Sequence, residues 1–194
     1  MRRSKEAAGN AAAVDERWGA FEGQVLAAWH DDGRTMTLLE PFAYGDPAGM
    51  RWFAPQGSEV DGASIPQAFW SVIGGPFAGR FRNASVVHDV VCMEQTANWR
   101  DVHWMFYEAC RCGGVAVMKA KLMYHAVFHF GPRWEVETTL LVRDGREIRL
   151  TKPRDISPPS PTPLDVAAAV AYFASHDPPV EEIPEVELEP AARL

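Results

Sequence analysis

Three consecutive helix-forming segments decide the fold of this chain. They read NASVVHDVVCME (residues 83–94), NWRDVHWMFYEACRCGG (98–114) and VAVMKAKLMYHAVFHFGP (115–132). Asn83 and Asn98 are typical residues at the start of a helix, whereas Gly113-Gly114 and Gly131-Pro132 are typical of helix ends. The sequence therefore predicts helices over residues 84–94, 99–112 and 115–130.

Strand patterns flank this helical unit. Residues 24–30 and 35–42 enclose the turn signal Asp31-Asp32-Gly33, and residues 50–54 form another short apolar segment. Residues 135–142 and 146–151 predict a hairpin. We predict an α+β fold in which one small antiparallel sheet, made of the N-terminal strands and this hairpin, packs on the three helices.

The chain length suits one core domain with extended arms. The chain has 194 residues, of which 47% are hydrophobic and 23% charged, as in soluble globular proteins. We place the core domain at residues 21–152, after an N-terminal arm at 1–20. Five prolines in residues 153–163 predict a stiff linker. The linker leads to a short helix at 164–176 whose apolar face (Val166, Val170, Phe173) docks on the body or binds a partner.

Negative charge is concentrated at the C-terminal end. The net charge is −7, and residues 177–194 carry −5 of it through six acids and one base. Such a tail is typically solvated; the alternative is a strap that binds a partner. The lack of a basic surface argues against nucleic-acid binding.

The sequence also limits where the protein is expected to work. It contains no run of eighteen apolar residues, so we expect no membrane span. Residues 1–13 lack the apolar core of a secretory signal. Three cysteines, an odd number, favour a reducing compartment over a disulfide scaffold.

Several metal-ligating or catalytic residue types lie on the three predicted helices. His88 and Cys92 are four residues apart and so share a helix face, next to Asp89, and the second helix adds His103. Imidazole and thiolate ligands suit zinc. Alternatively, His88 is a general base and Asp89 holds a hard cation such as calcium. A third possibility is that these are ordinary core residues.

Two other groups of residues allow both a structural and a functional interpretation. Asp61, Gly62 and Ser64 form either a tight turn or a loop that faces a pocket at His88. His125 and His129 share a face of the third helix and are either core residues or metal ligands.

The motif Asp61-Gly62-Ala63-Ser64-Ile65-Pro66, followed by Ala84 to Asp89, resembles a bacterial and phage domain family of unknown function. That family has the patterns D-G-A-S-[IV]-P, H-D-x-L-Y, A-D-x-x-F-Y-E-A and M-Y-x-A-V. Residues 102–109 and 123–127 are similar to the last two patterns. The resemblance covers roughly residues 21–134 and implies a phage or prophage origin.

The H-D-x-L-Y helix is in turn locally similar to the His-Asp helix of secreted phospholipases of the A-two type. That similarity implies that His88 is the base and Asp89 the cation ligand. Two supporting positions differ: Cys92 replaces the tyrosine, and the orienting acid of the second helix falls on His103 or Trp104. Three outcomes follow: an inactive site, a working dyad, or a zinc site of His88, Cys92 and His103 with Asp61 or Asp89 as fourth ligand.

Three functions are therefore expected. The first is a virion or tail-associated structural component with a hydrolase-like domain and a degenerate His-Asp site, bound to other virion proteins or to itself. The second is a metal-dependent hydrolase that acts on envelope lipid or peptidoglycan. The third is a partner-binding regulatory protein. The expected location is the virion or the host cytoplasm.

Overall fold

The structure, a computed structural model, describes residues 16–62, 64–143 and 146–188. Its strands are β1 (Ala20–Glu22), β2 (Ala27–Trp29), β3 (Met36–Leu38), β4 (Phe42–Gly45), β5 (Arg51–Ala54), β6 (Glu59–Val60), β7 (Arg133–Arg143) and β8 (Arg146–Ile156). Its α-helices are α1 (Trp70–Ile73), α2 (Arg82–Glu94), α3 (Trp99–Cys112), α4 (Val117–Phe130) and α5 (Pro163–Ser175). Short 3-10 helices are Glu16–Trp18, Gln67–Phe69, Gly79–Phe81 and Val180–Glu185.

The predicted α+β class is confirmed, but the strands form three small antiparallel sheets instead of one. Their orders are β1-β4-β5, β2-β3-β6 and β7-β8. The predicted hairpin around Asp31-Asp32-Gly33 pairs Ala27 with Leu38 and Trp29 with Met36. The hairpin β7-β8 is a separate ribbon, because β8 is the only described strand that pairs with β7.

The three predicted helices form the centre of the molecule. Asn98 caps α3, since its side-chain oxygen accepts a hydrogen bond from the backbone N–H of Arg100. Helix α2 begins at Arg82, so Asn83 lies inside it and is not its cap, and it ends at Gln95 in a left-handed conformation. The core between helices and sheets contains the buried aromatic residues Trp99 and Phe106. Of the helices in the described part of the chain, none is long and apolar enough to cross a membrane.

The predicted linker is shorter than expected because β8 continues to Ile156. Pro153 lies opposite Val136 in the ribbon. A proline lacks the backbone N–H group, but it is tolerated there because both strands of a two-stranded ribbon are edge strands. Helix α5 then begins with a capping box between Thr162 and Asp165.

The segment after the ribbon, residues 157–188, packs on α4 and is called the C-terminal strap below. Val166 and Phe173 are buried in the chain's own core and Val170 is partly buried against it, so this apolar face docks on the body. Ile183 is fully buried, and His129 donates from Nε2 to its carbonyl over 3.1 Å. The first part of the acidic tail is therefore docked, while residues 189–194, like the arm residues 1–15, lie outside the described structure.

Two further contacts fix the strap to α4, at Lys121 near the start of the helix and at His125 near its middle. The ammonium group of Lys121 binds the carboxylate of Asp177 and donates to the carbonyl of Pro178 over 2.6 Å. His125 lies against Phe173 with 5.6 Å between ring centroids and is 3% exposed. Burial, followed by the neighbouring His129, lowers the pKa of His125 to about 3.

We predict that His125 makes the folded state sensitive to acid. Its pKa is lower in the folded chain than the ordinary value of about 6.5, so the unfolded chain binds more protons between these two values and stability falls as the pH drops through this window. From pH 7 to pH 5 this one group should cost about 2 kcal/mol. In His125→Leu the loss between these pH values, measured by urea unfolding, should be smaller by that amount. The exposed His176→Gln is the control; equal losses in His125→Leu and wild type would contradict the prediction.

Candidate functional site

Helices α2 and α3 bring three of the four predicted metal ligands together. His88 and Cys92 lie one turn apart on α2, and His103 faces them from α3. The distance from His88 Nε2 to His103 Nδ1 is 2.8 Å, and that to Cys92 Sγ is 3.6 Å. Among the described residues this is the one group of three or more His, Cys, Asp and Glu side chains whose ligand atoms all lie within 4.8 Å of one another.

A chain of hydrogen bonds fixes the protons of both imidazoles. His103 Nε2 is 3.0 Å from the carbonyl oxygen of Pro132, which only accepts, so this nitrogen carries the proton. In the neutral ring Nδ1 is then an acceptor, and His88 must donate to it from Nε2. Nδ1 of His88 accepts in turn from the hydroxyl of Ser64 over 3.0 Å. The protons therefore run from Ser64 through His88 and His103 to Pro132.

Asp89 has a different task from its neighbour His88. Its Oδ2 accepts the backbone N–H groups of Asp61 (2.9 Å) and Gly62 (3.0 Å), and its Oδ1 accepts that of Ser64 (3.2 Å). The carboxylate is 3% exposed. Asp89 thus anchors the loop 61–66, which places the Ser64 hydroxyl on His88.

Gly62 is required in this loop. Its φ of +71° is unfavourable for other residues, and a Cβ atom there would lie 2.2 Å from Cγ of Pro76. Gly62 thus has the positive φ that is typical of a tight turn, and the loop contacts His88 through Ser64. A pocket at His88 stays a prediction.

Burial favours the uncharged forms of His88, Cys92 and His103. It lowers the pKa of His88 well below the ordinary value, with His103 as the second cause, and it lowers the pKa of His103 to about 3. Burial also raises the pKa of the Cys92 thiol, and the nearby Asp89 carboxylate adds to this. The ring of Phe106 packs beside His88, with 4.5 Å between the ring centroids.

The other candidate residues lie elsewhere. Asp61 turns its side chain to Arg34, with 3.5 Å between Oδ2 and Nη2, and is not part of the metal-ligating group; nor is Asp89. Of the two candidates on α3 for the residue that orients His88, the structure places His103 beside that imidazole, whereas Trp104 packs against Tyr107 and Tyr124. His125 and His129 lie under the C-terminal strap, outside this group.

The sequence paired His88 with Cys92 from helical spacing, added His103 from the second helix and placed Ser64 in a loop facing His88. It did not predict the hydrogen bond between the Ser64 hydroxyl and the His88 imidazole, and it did not identify Pro132 as the acceptor for His103. The first contact crosses 24 residues and the second 29, so no local spacing reports them.

A domain described as "Protein of unknown function (DUF1353)" is found at residues 36–127. This range contains Ser64, His88, Cys92 and His103 and ends before Pro132. The match supports the part of the resemblance that concerns a domain of unknown function.

Two curated relatives come from Sinorhizobium fredii (strain NBRC 101917 / NGR234). The chain is similar to "Uncharacterized protein y4jT", with 44% identity over 130 residues, which is 65% of this chain and 38% of the relative. It is also similar to "Uncharacterized protein y4iH", with 35% identity over 103 residues, 53% of this chain and 43% of the relative. The matches thus span about two fifths of the relatives' length. No solved structure matches the chain.

We predict that Asp89→Asn destabilises the protein by about 3 kcal/mol, because three N–H donors lose a charged acceptor and one meets an amide N–H group. The free energy of unfolding in urea measures this loss. Asp31→Asn, at an exposed carboxylate, is the matched control and should stay within about 0.5 kcal/mol of wild type. An Asp89→Asn protein as stable as this control would show that the loop does not depend on the carboxylate.

Proposed function

We propose that the domain binds one zinc ion through His88 Nε2, Cys92 Sγ and His103 Nδ1 and that it is a metal-dependent hydrolase. The observation that carries this proposal is the meeting of the three ligand atoms, all within 4.8 Å of one another and buried. Two imidazoles and a thiol are the donor set that zinc prefers over calcium, which takes oxygen ligands.

The surroundings of the imidazoles support the same proposal. Metal-binding histidines normally donate their second ring N–H to an oxygen acceptor, which orients the ring. His103 already donates from Nε2 to the Pro132 carbonyl, and Nδ1 of His88 lies 3.0 Å from the Ser64 hydroxyl. Either imidazole can therefore offer its other nitrogen to a metal without losing this support.

Three protein ligands are the number found in catalytic zinc sites, where water takes the fourth position. Bound zinc lowers the pKa of such a water and polarises an ester or amide carbonyl. This chain's own contribution is a buried position beside the Phe106 ring and imidazoles held in one orientation by Ser64 and Pro132. Because Ser64 is 3% exposed and His88 is fully buried, the site is closed to a substrate in this conformation.

Elemental mass spectrometry of the purified, untagged protein should find about one zinc per chain. Cys92→Ala and His103→Ala should each lose most of it, because each removes one of the three ligands. Cys110→Ala removes a buried thiol of α3 that lies outside the group and should retain the zinc. Metal-free wild type whose melting temperature does not rise with added zinc would overturn the proposal.

A second candidate function rests on the proton order of the metal-free site. A serine hydroxyl that donates to an imidazole, which is in turn oriented by a third group, is the arrangement of an activated nucleophile. Ser64, His88 and His103 have this order. In this candidate Ser64 attacks an ester carbonyl and His88 takes its proton at Nδ1. Zinc binding needs the opposite proton on His88, so the two functions exclude one another in a single molecule.

Labelling with a fluorophosphonate, which reacts with activated serines, distinguishes the two. If Ser64 is the nucleophile, chelator-treated protein reacts, Ser64→Ala and His88→Ala do not, and stoichiometric zinc suppresses the reaction. Ser85→Ala is the control, since its hydroxyl bonds the Phe81 carbonyl and lies outside the chain of hydrogen bonds. No labelling of folded, metal-free wild type would remove Ser64 as a nucleophile and leave the zinc proposal untouched.

The structural role in a phage virion or tail stays a prediction of the sequence resemblance. Mass spectrometry of purified particles tests it, and absence of the chain from them would count against it. Regulation through the acidic tail stays a prediction too, although residues 177–188 already have a binding surface on α4.

A further inference from the structure

A pocket lies beside the loop 61–66, and neither proposed function uses it. Its volume is about 410 Å³, and it is lined by the turn after β2, the loop and the segment after α1. Trp29, Trp70 and Phe77 contribute aromatic side chains, and Arg34, Asp61 and Gln67 contribute polar ones. We propose that this pocket binds a neutral oligosaccharide.

The aromatic residues form an open platform. Trp29 is 58% exposed, and it meets Phe77 edge to face with 5.8 Å between ring centroids. Trp70 is held in place because its Nε1 donates to the Ile65 carbonyl over 3.0 Å. A sugar ring presents a flat face of C–H bonds that stacks on the electron-rich face of such a ring.

The polar residues make the pocket electrically neutral. Arg34 and Asp61 are its charged residues, and they pair with each other through Nη2 and Oδ2 at 3.5 Å. Arg34 also donates from Nε to the Asp61 carbonyl and lies over the Trp70 ring at 5.5 Å. A charged ligand would have to compete with this pair, whereas an uncharged one would not.

The same side chains suit hydroxyl groups. Arg34 is a donor, the Asp61 carboxylate an acceptor, and the exposed Gln67 amide both. A few planar polar groups among aromatic walls fix the orientation of a ligand that is apolar on its faces and polar at its rim. Neutral sugars combine these properties; an acyl chain lacks the polar rim, and a proline-rich peptide has few hydroxyl donors.

Titration of the full-length protein with cellotetraose and with chitotetraose, followed by calorimetry and ligand-observed NMR, tests the proposal. We expect at least one of the two to bind and Trp29→Ala to weaken it tenfold or more, because the stacking platform is removed. Phe53→Ala, at an exposed ring of β5 outside the pocket, is the matched control and should bind like wild type. Melting curves check that each variant is folded.

Binding of neither sugar at millimolar concentration, or equal binding by Trp29→Ala and wild type, would overturn the proposal. A decaproline peptide is titrated in parallel. Binding of this peptide with loss in Trp29→Ala, in place of the sugars, would assign the pocket to a protein ligand and likewise overturn it. None of these outcomes depends on zinc, since the test uses neither metal nor turnover.

Discussion

The buried carboxylate of Asp89 is the constraint on which the candidate site depends. The backbone N–H groups of Asp61, Gly62 and Ser64 converge on it, so these residues without regular structure can lie against the helical core with their donors satisfied. The same bonds place Ser64 on His88 and Asp61 beside Arg34. One side chain of α2 therefore organises both the buried cluster and the wall of the neighbouring pocket.

The zinc proposal gives the buried cluster two chemically different states, one without the metal and one with it. Without metal, four groups share their protons in one direction and the site holds no charge, as the lowered imidazole pKa values and the raised thiol pKa require. With zinc bound as proposed, His88 would carry its proton on Nδ1 and donate it to Ser64, and the thiol would lose its proton. Burial disfavours the bare thiolate, so the charge of the metal would have to stabilise it.

Local patterns predicted the parts of this protein that local chemistry decides. Cap and end signals located α2, α3 and α4 within a few residues, and four-residue spacing paired His88 with Cys92. The sequence predicted one sheet where the structure has three, because a strand pattern shows the alternation of apolar and polar residues but not which strands pair. Tertiary packing decides the remaining features, and spacing along the chain does not encode it. These features are the contact of Ser64 with His88, the position of His103 rather than Trp104 beside His88, and the burial of Ile183.

The candidate site and the core extend beyond the matched range at residues 36–127. The carbonyl that orients His103 belongs to Pro132, and the outer side of α4 is covered by Phe173 and Ile183 of the C-terminal strap. Without the strap, His125 would face water and lose the burial that lowers its pKa. A domain cut at residue 127 would therefore lack an orienting acceptor at one end of the cluster and expose apolar surface along α4, so the segment beyond the match completes both the site and the core.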